Sequence, residues 1–224
     1  MSLRVTQGMI SSQSLSNLNR NYNKLSDISN QVSTGRKINK PSDDPVGITY
    51  ALRYRAELAS NEQYKSNADS AVSWLDYTDS TMQQSTSLMT RLKELTVQAS
   101  SSTLPQSGLD AIRMEVEQLK DQMGAIGNSQ LRGKYIFNGQ NYDKIPYELS
   151  GTVTSFSQID TDDGAVKYSV DDSGDYQINT TGNNFFGAST DNDNVFKVMD
   201  DLVLALNTAN YSNISAQLPK IESR

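Results

Sequence analysis

The chain of 224 residues contains neither cysteine nor histidine. Without thiols there are no disulfides and no cysteine nucleophile, and without imidazole there is no His-ligated metal, zinc finger or Ser-His-Asp triad. Long apolar runs are also missing. The longest, Leu202 to Leu206, is far too short to cross a bilayer, and nothing apolar of signal-peptide length follows Arg4. The residues therefore predict no membrane span and no cleavable secretory signal. Apolar residues make up only 36% of the chain, a low share for a self-contained globule. That share fits an elongated molecule, or one that buries more surface with partners. A net charge of −6 with no lysine-rich run argues against nucleic acid as the main partner. The few cations near Arg36, Lys37 and Lys40 form too small a patch to overturn that.

Helical periodicity fills much of what remains. Leu15, Leu18, Tyr22, Leu25 and Val32 fall at alternating spacings of three and four, interrupted only by Ser29, and define one seam of a helix from about Thr6 to Thr34. At 1.5 Å per residue it would be roughly 40 Å long. Its other faces are Ser, Asn and Gln, weak helix formers that give no ion-pair support, so the seam is expected to meet another helix. Gly35 follows directly, where a left-handed C-cap residue belongs. Asp43, Asp44 and Pro45 then read as a helix start: a carboxylate can accept a free backbone N–H, and proline at the first helical position has its φ already set. From Pro45 to about Ser101 the sequence predicts a second helix, on the order of 80 Å long if straight. Its broken heptad is Ala68, Ala71, Leu75, Met82, Met89 and Leu92, with Thr78 and Ser85 as polar members of the seam.

Pro105 to Gly108 reads as a turn. Leu109, Ile112, Val116, Leu119, Met123 and Ile126 then form an unbroken repeat, predicting a helix that folds back antiparallel on its predecessor. Gly124, Gly127 and Gly133 read as its fraying and exit. Beyond Tyr135 the period changes. Asn138-Gly139 is a strong hairpin dipeptide, and Val166, Tyr168 and Val170, then Tyr176 and Ile178, alternate as strands do. Residues 141–187 are expected to be a small β insertion. Asp191 to Asn194 offers caps for a helix through Val195, Met199, Leu202 and Leu206, completing a three-helix core. Ile214, Leu218 and Ile221 suggest a further helix, weakened by Pro219.

Few constellations suggest chemistry. Asp160, Asp162, Asp163, Asp171, Asp172 and Asp175 lack the spacing of a calcium loop, since alanine stands at the sixth position, and they read as a solvated turn surface. No apolar pocket, nucleophile or oxyanion site accompanies them. Trp74, Tyr77 and Met82, Met89, Met114 and Met123 read as packing groups. No catalytic residue, metal ligand or cofactor is expected.

Four strings carry a resemblance: RVTQGMI at Arg4 to Ile10, STGRKINKPSDDP at Ser33 to Pro45, EVEQLKDQM at Glu115 to Met123, and GKYIFNGQ at Gly133 to Gln140. Together they resemble the hook-associated protein 3 family, the hook-filament junction proteins of the flagellin superfamily. The first and last strings favour the junction type over flagellin, which usually carries Asn-Thr-x-Phe-Asn-Gly at the hairpin. The resemblance implies a mainly α fold with a small β-rich insertion, an elongated flagellin-like helical bundle with long antiparallel helices. The expected parts are a terminal helix and linker (1–40), a helical rod with hairpin (41–140), a β-rich outer domain (141–187) and a returning rod helix (188–224).

A ring of identical subunits between the hook-side junction protein and the flagellin filament is implied, as is unfolded export through the flagellar type III apparatus to the cell exterior. The α-helical seam of Leu15, Leu18, Tyr22, Leu25 and Val32 would pair with a C-terminal helix, and Gly35, Arg36, Asp43, Asp44 and Pro45 would form the linker and cap. That C-terminal helix, expected also to hold the export chaperone, is not found before Arg224, so the chain is expected to be a fragment with residues 1–34 mobile when unpartnered. Arg91, Glu94 and Leu95 match positions of a flagellin stretch recognised by the innate flagellin receptor. The alternative for those three is a shared structural helix with its charges exposed and its leucine buried. Competing functions are a filament-forming flagellin, and an enzyme or adhesin carried by the β insertion.

Overall fold

The computed structural model describes residues 7–101, 104–150 and 153–223. The opening of the RVTQGMI string, Arg4 to Thr6, lies outside them. By packing, the chain divides into a unit up to Glu62 and a second from Gln63 on. Helix α1 (Gln7–Thr34) belongs to the first, and α2 (Pro45–Ala99) gives its opening turns to the first and the rest to the second. The second unit continues with α3 (Gln106–Gly127), β1 (Gln130–Leu131), β2 (Lys134–Tyr135), β3 (Lys167–Ser169), β4 (Asp175–Gln177), α4 (Gly182–Phe186), α5 (Val195–Asn207) and α6 (Tyr211–Glu222). The class is the expected one, mainly helical with short antiparallel strands.

The caps explain most boundaries. Gly35 ends α1 at φ +65°, where only glycine is unstrained. Asp44 accepts from the Gly47 amide at 2.9 Å and opens α2. Asn194 accepts from Lys197 N (3.1 Å) to open α5, and Asn210 from Asn213 N (3.1 Å) to open α6. With α6 so capped and with Ile214 and Ile221 buried, Pro219 is accommodated inside the helix.

Helix α3 begins at Gln106, so Gly108 lies within its first turn and not in the expected turn. Arg91 of α2 bonds Glu115 of α3 at 2.8 Å, consistent with the antiparallel return. Half of the expected α2 seam is observed: Ala71, Thr78, Ser85 and Leu92 are buried at intervals of seven, a line that continues to Ala99. Its companion line is Trp74, Thr81, Leu88 and Leu95 and not the expected Ala68, Leu75, Met82 and Met89. This is a heptad seam in which hydroxyls occupy core positions. They fit because Thr78, Thr81 and Thr96 donate to the carbonyls of Trp74, Tyr77 and Leu92, at 2.8, 2.8 and 2.7 Å. The donor of each is satisfied within the helix.

All five phenylalanines join Tyr147 in one aromatic cluster against α3 and α5. Phe186 sits at its centre, with ring centroids 5.2 Å from Phe137, 5.6 Å from Tyr147 and 5.4 Å from Phe196. Gly124 and Gly127 admit these rings. A Cβ at Gly124 would stand 2.6 Å from Phe156, and one at Gly127 2.6 Å from Tyr147. Both are buried positions of close approach: α3 does end at Gly127, as expected, whereas Gly124 lies inside it. Burial pushes the Tyr147 phenol well above the ordinary tyrosine range, with the charge of Asp160 adding to the shift.

The tight hairpin is also displaced. It joins β1 to β2 through Arg132-Gly133, both at positive φ, with Leu131 opposite Lys134. Asn138-Gly139 instead begins a wide loop: the Asn138 amide donates to the carbonyls of Asn141 and Lys144, both at 3.1 Å. The second hairpin, β3 with β4, pairs Tyr168 with Tyr176, both in segments expected to be strands, and the other described residues of 141–187 are loops, a 3₁₀ turn at Phe156–Gln158 and α4.

The aspartates of this region lie at the surface as expected, with Asp160, Asp163, Asp172 and Asp175 exposed, and several of the six also tie loops together. Asp160 accepts from Ser189, Asp162 from the amides of Gln140 and Gly164, and Asp163 from Thr181 and Asn183. Asp171 shapes the β3–β4 turn through the amides of Ser173 and Gly174.

Candidate assembly surface

Helix α1 has no buried residue. Leu15, Leu18, Tyr22 and Leu25 are 61%, 51%, 63% and 63% exposed, and Val32 is 78% exposed. From Leu15 to Val32 the predicted seam thus presents its apolar side chains to solvent, with a gap at Ser29. Met9, Ile10 and Ile28, outside the predicted seam, extend the apolar surface. The rest of the unit adds Val46, Tyr50, Leu52, Tyr54 and Leu58, all exposed, with Tyr50 and Tyr54 stacked at 6.5 Å. No described residue up to Glu62 is buried. Transfer of a Leu-sized side chain from water contributes roughly 1.5–3 kcal/mol, and this surface gains none of it within the unit.

The linker is ordered by its own polar groups. The Asp43 carboxylate accepts from Lys40 N at 2.9 Å and Asn39 N at 3.1 Å, and the Asn39 side chain donates to Arg36 O at 3.0 Å. The two amides, Lys40 first and Asn39 second, hold the Asp43 carboxyl below its usual range. Gly47 lies so close to Asp44 and Ile38 that a Cβ there would clash with both. Gly35, Asp43, Asp44 and Pro45 therefore form one device that stops α1 and starts α2. Arg36 enters it through its backbone carbonyl.

The remaining candidate residues are not brought onto a common surface. Arg91 is held by Glu115 at 2.8 Å and Glu94 at 3.1 Å, and these two partners, Glu115 first, raise its pKa. Leu95 is 1% exposed and belongs to the core. The receptor-like reading of Arg91, Glu94 and Leu95 gives way to a structural helix with exposed charges and a buried leucine.

Residues 5–142 match the family model of the bacterial flagellin N-terminal helical region. Over 219 residues the chain is similar, at 25% identity, to flagellar hook-associated protein 3 of Escherichia coli K12, covering 92% of this chain and 67% of that protein. It is also similar to the flagellin of Clostridium tyrobutyricum, at 28% identity over 125 residues, or 56% of this chain and 33% of that one. The chain thus spans about two thirds of the hook-associated relative and about a third of the flagellin. Among solved structures, a flagellar hook-associated protein of Vibrio parahaemolyticus superposes with a TM-score of 0.70 at 17% identity, covering 82% of each chain. FlgL of Bacillus cereus gives 0.61 at 22% identity, covering 79% of this chain and 82% of that one. At these identities the likeness is one of fold.

Proposed function

The chain belongs to the bacterial flagellin family through its N-terminal helical region, and from that premise we propose that it is a structural adaptor joining the hook-side junction protein to the flagellin filament by subunit packing. The observation that carries the proposal is the α1 seam from Leu15 to Val32, on a helix of 28 residues without a buried side chain. Identical subunits form a ring, and the seam is covered there by a terminal helix or another copy. The protein is exported to the cell exterior as part of the flagellum, and an export chaperone engages a segment C-terminal to the residues described. Residues 1–40, 41–140, 141–187 and 188–224 serve as terminal helix and linker, rod, outer domain and returning rod helix.

Sedimentation of the chain with purified hook-side junction protein and flagellin tests this. Co-sedimentation of the wild type, lost in a Leu18→Asp/Leu25→Asp variant that keeps its helical signal, is the expected result. Association unaffected by the two aspartates overturns the role of the seam. A filament-forming flagellin is the second reading, favoured by similarity to a flagellin over 56% of the chain. The match to hook-associated protein 3 runs on through 92% of it. Spontaneous growth of long filaments from the chain alone would favour the second reading.

A further inference from the structure

Asn138-Gly139 is the only Asn-Gly pair in the chain. Such a pair is chemically reactive, because glycine puts no side chain in the way of its own amide nitrogen. In an unconstrained chain the Gly139 nitrogen gives its proton to solvent and attacks Asn138 Cγ. A Cγ–N bond to Gly139 forms, the Cγ–Nδ2 bond breaks, and the leaving nitrogen takes up a proton and departs as ammonia. Water then opens the cyclic imide at either carbonyl, giving aspartate or its β-linked isomer. Water is the only co-reactant, and no electron changes hands.

The fold demands glycine at this place and shields what glycine exposes. Gly139 stands at φ +52°, and a Cβ on it would collide with the Asp162 carbonyl. Asn138 is 7% exposed. Its Nδ2 donates to Asn141 O and Lys144 O, both at 3.1 Å, and its Oδ1 accepts from Asp162 N at 3.1 Å. Attack on Cγ requires the amide to turn, and here it is gripped at both ends. Nδ2 is also the leaving group, so closing the ring discards both donated bonds. The Asp162 carboxylate tightens the clasp, accepting from the Gln140 amide at 2.7 Å and the Gly164 amide at 3.2 Å.

We propose that Asn138 is a deamidation site, open in the unfolded chain and closed by the folded 138–144 loop, and that conversion there bars the chain from rebuilding the loop. The product explains the second half. An aspartate at 138 has no N–H to give, so its carboxylate would face the carbonyls of Asn141 and Lys144 with repulsion in place of two hydrogen bonds. The β-linked isomer also lengthens the backbone by a methylene beside Gly139, where the chain is already pressed against Asp162. Deamidation at this residue thus records time spent unfolded or locally open.

The test incubates the full chain at mildly alkaline pH in buffer and in guanidinium chloride, following each asparagine by peptide mapping and mass spectrometry. In guanidinium Asn138 should convert ahead of every other asparagine. In buffer it should convert at least about tenfold more slowly than in guanidinium, since ring closure must first break buried hydrogen bonds. Asp162→Ala, which loosens the clasp and leaves Asn138 in place, should raise the rate in buffer with the helical signal unchanged. Gly139→Ala should slow conversion in guanidinium, where folding plays no part. Asn138→Asp should lower the urea midpoint of the chain. Equal rates for Asn138 in buffer and guanidinium overturn the closure, and other asparagines converting first in guanidinium overturn the site. An Asn138→Asp chain as stable as the wild type overturns the bar to refolding.

Discussion

Helices α1 and α5 make an instructive pair. Both are amphipathic, both end cleanly, and both carry apolar residues at the spacings that bury a helix. Of the 13 residues of α5 seven are buried, whereas of the 28 in α1 none is. The same contrast holds for the units that contain them: one has a core in which Phe137, Phe186 and Phe196 are fully enclosed, and the other has no buried residue described. Amphipathicity therefore states that a helix has a partner. It does not state that the partner lies in the same chain.

The largest effect that would sharpen this contrast is Phe186→Ala. Removing a fully enclosed ring in contact with four other aromatics should cost about 3–5 kcal/mol, read by urea denaturation. Next is Gly127→Ala, which places a methyl group 2.6 Å from the Tyr147 ring and should cost about 1–3 kcal/mol by overpacking. A neutral result there would mean that Tyr147 moves aside freely.

Leu18→Ala or Leu25→Ala should change the unfolding free energy of the isolated chain by less than about 0.5 kcal/mol, as surface substitutions do. A loss above about 1 kcal/mol would break the comparison, because α1 would then have a partner at home. Smallest is the response of the linker to acid. The Asp43 carboxyl titrates below its unfolded value of about 3.9, so its contribution is present above that value and fades as pH falls through the folded pKa. Amide resonances of Lys40 and Asn39 should shift together over that window. Exchange of both amides that ignores the titration would remove Asp43 as the organiser of the linker.

Caps and single seams were the legible part of this molecule. Gly35, Asp44 and Asn194 announce their roles because one residue and its backbone neighbours decide the outcome. The seam of α1 could be listed residue by residue for the same reason: it involves one helix.

What failed involves two elements at once. One line of the α2 seam was placed correctly, Thr78 and Ser85 included, but its companion was not, because Leu75, Met82 and Met89 outrank Thr81 in apolar character. The internal hydroxyl bond of Thr81 lets the less apolar position be buried. Gly124 and Gly127 looked like helix breakers because the rings of Phe156 and Tyr147, distant in sequence, could not be placed against them. Asn138-Gly139 lost the tight hairpin to Arg132-Gly133 because Ile136 and Phe137, just before it, are taken into the core. The Asn138 side chain is then more valuable bracing a wider loop.

The hydroxyl-lined seam of α2 has a mechanical corollary. Thr78, Thr81 and Thr96 direct their hydrogens into their own helix, so that at these positions the hydroxyl proton is not given across the seam. Where packing is non-directional, a small sliding displacement costs only a gradual loss of dispersion energy instead of the abrupt breaking of an oriented bond. Under load, that part of the seam should yield as a viscous bearing does, with resistance set by side-chain volume.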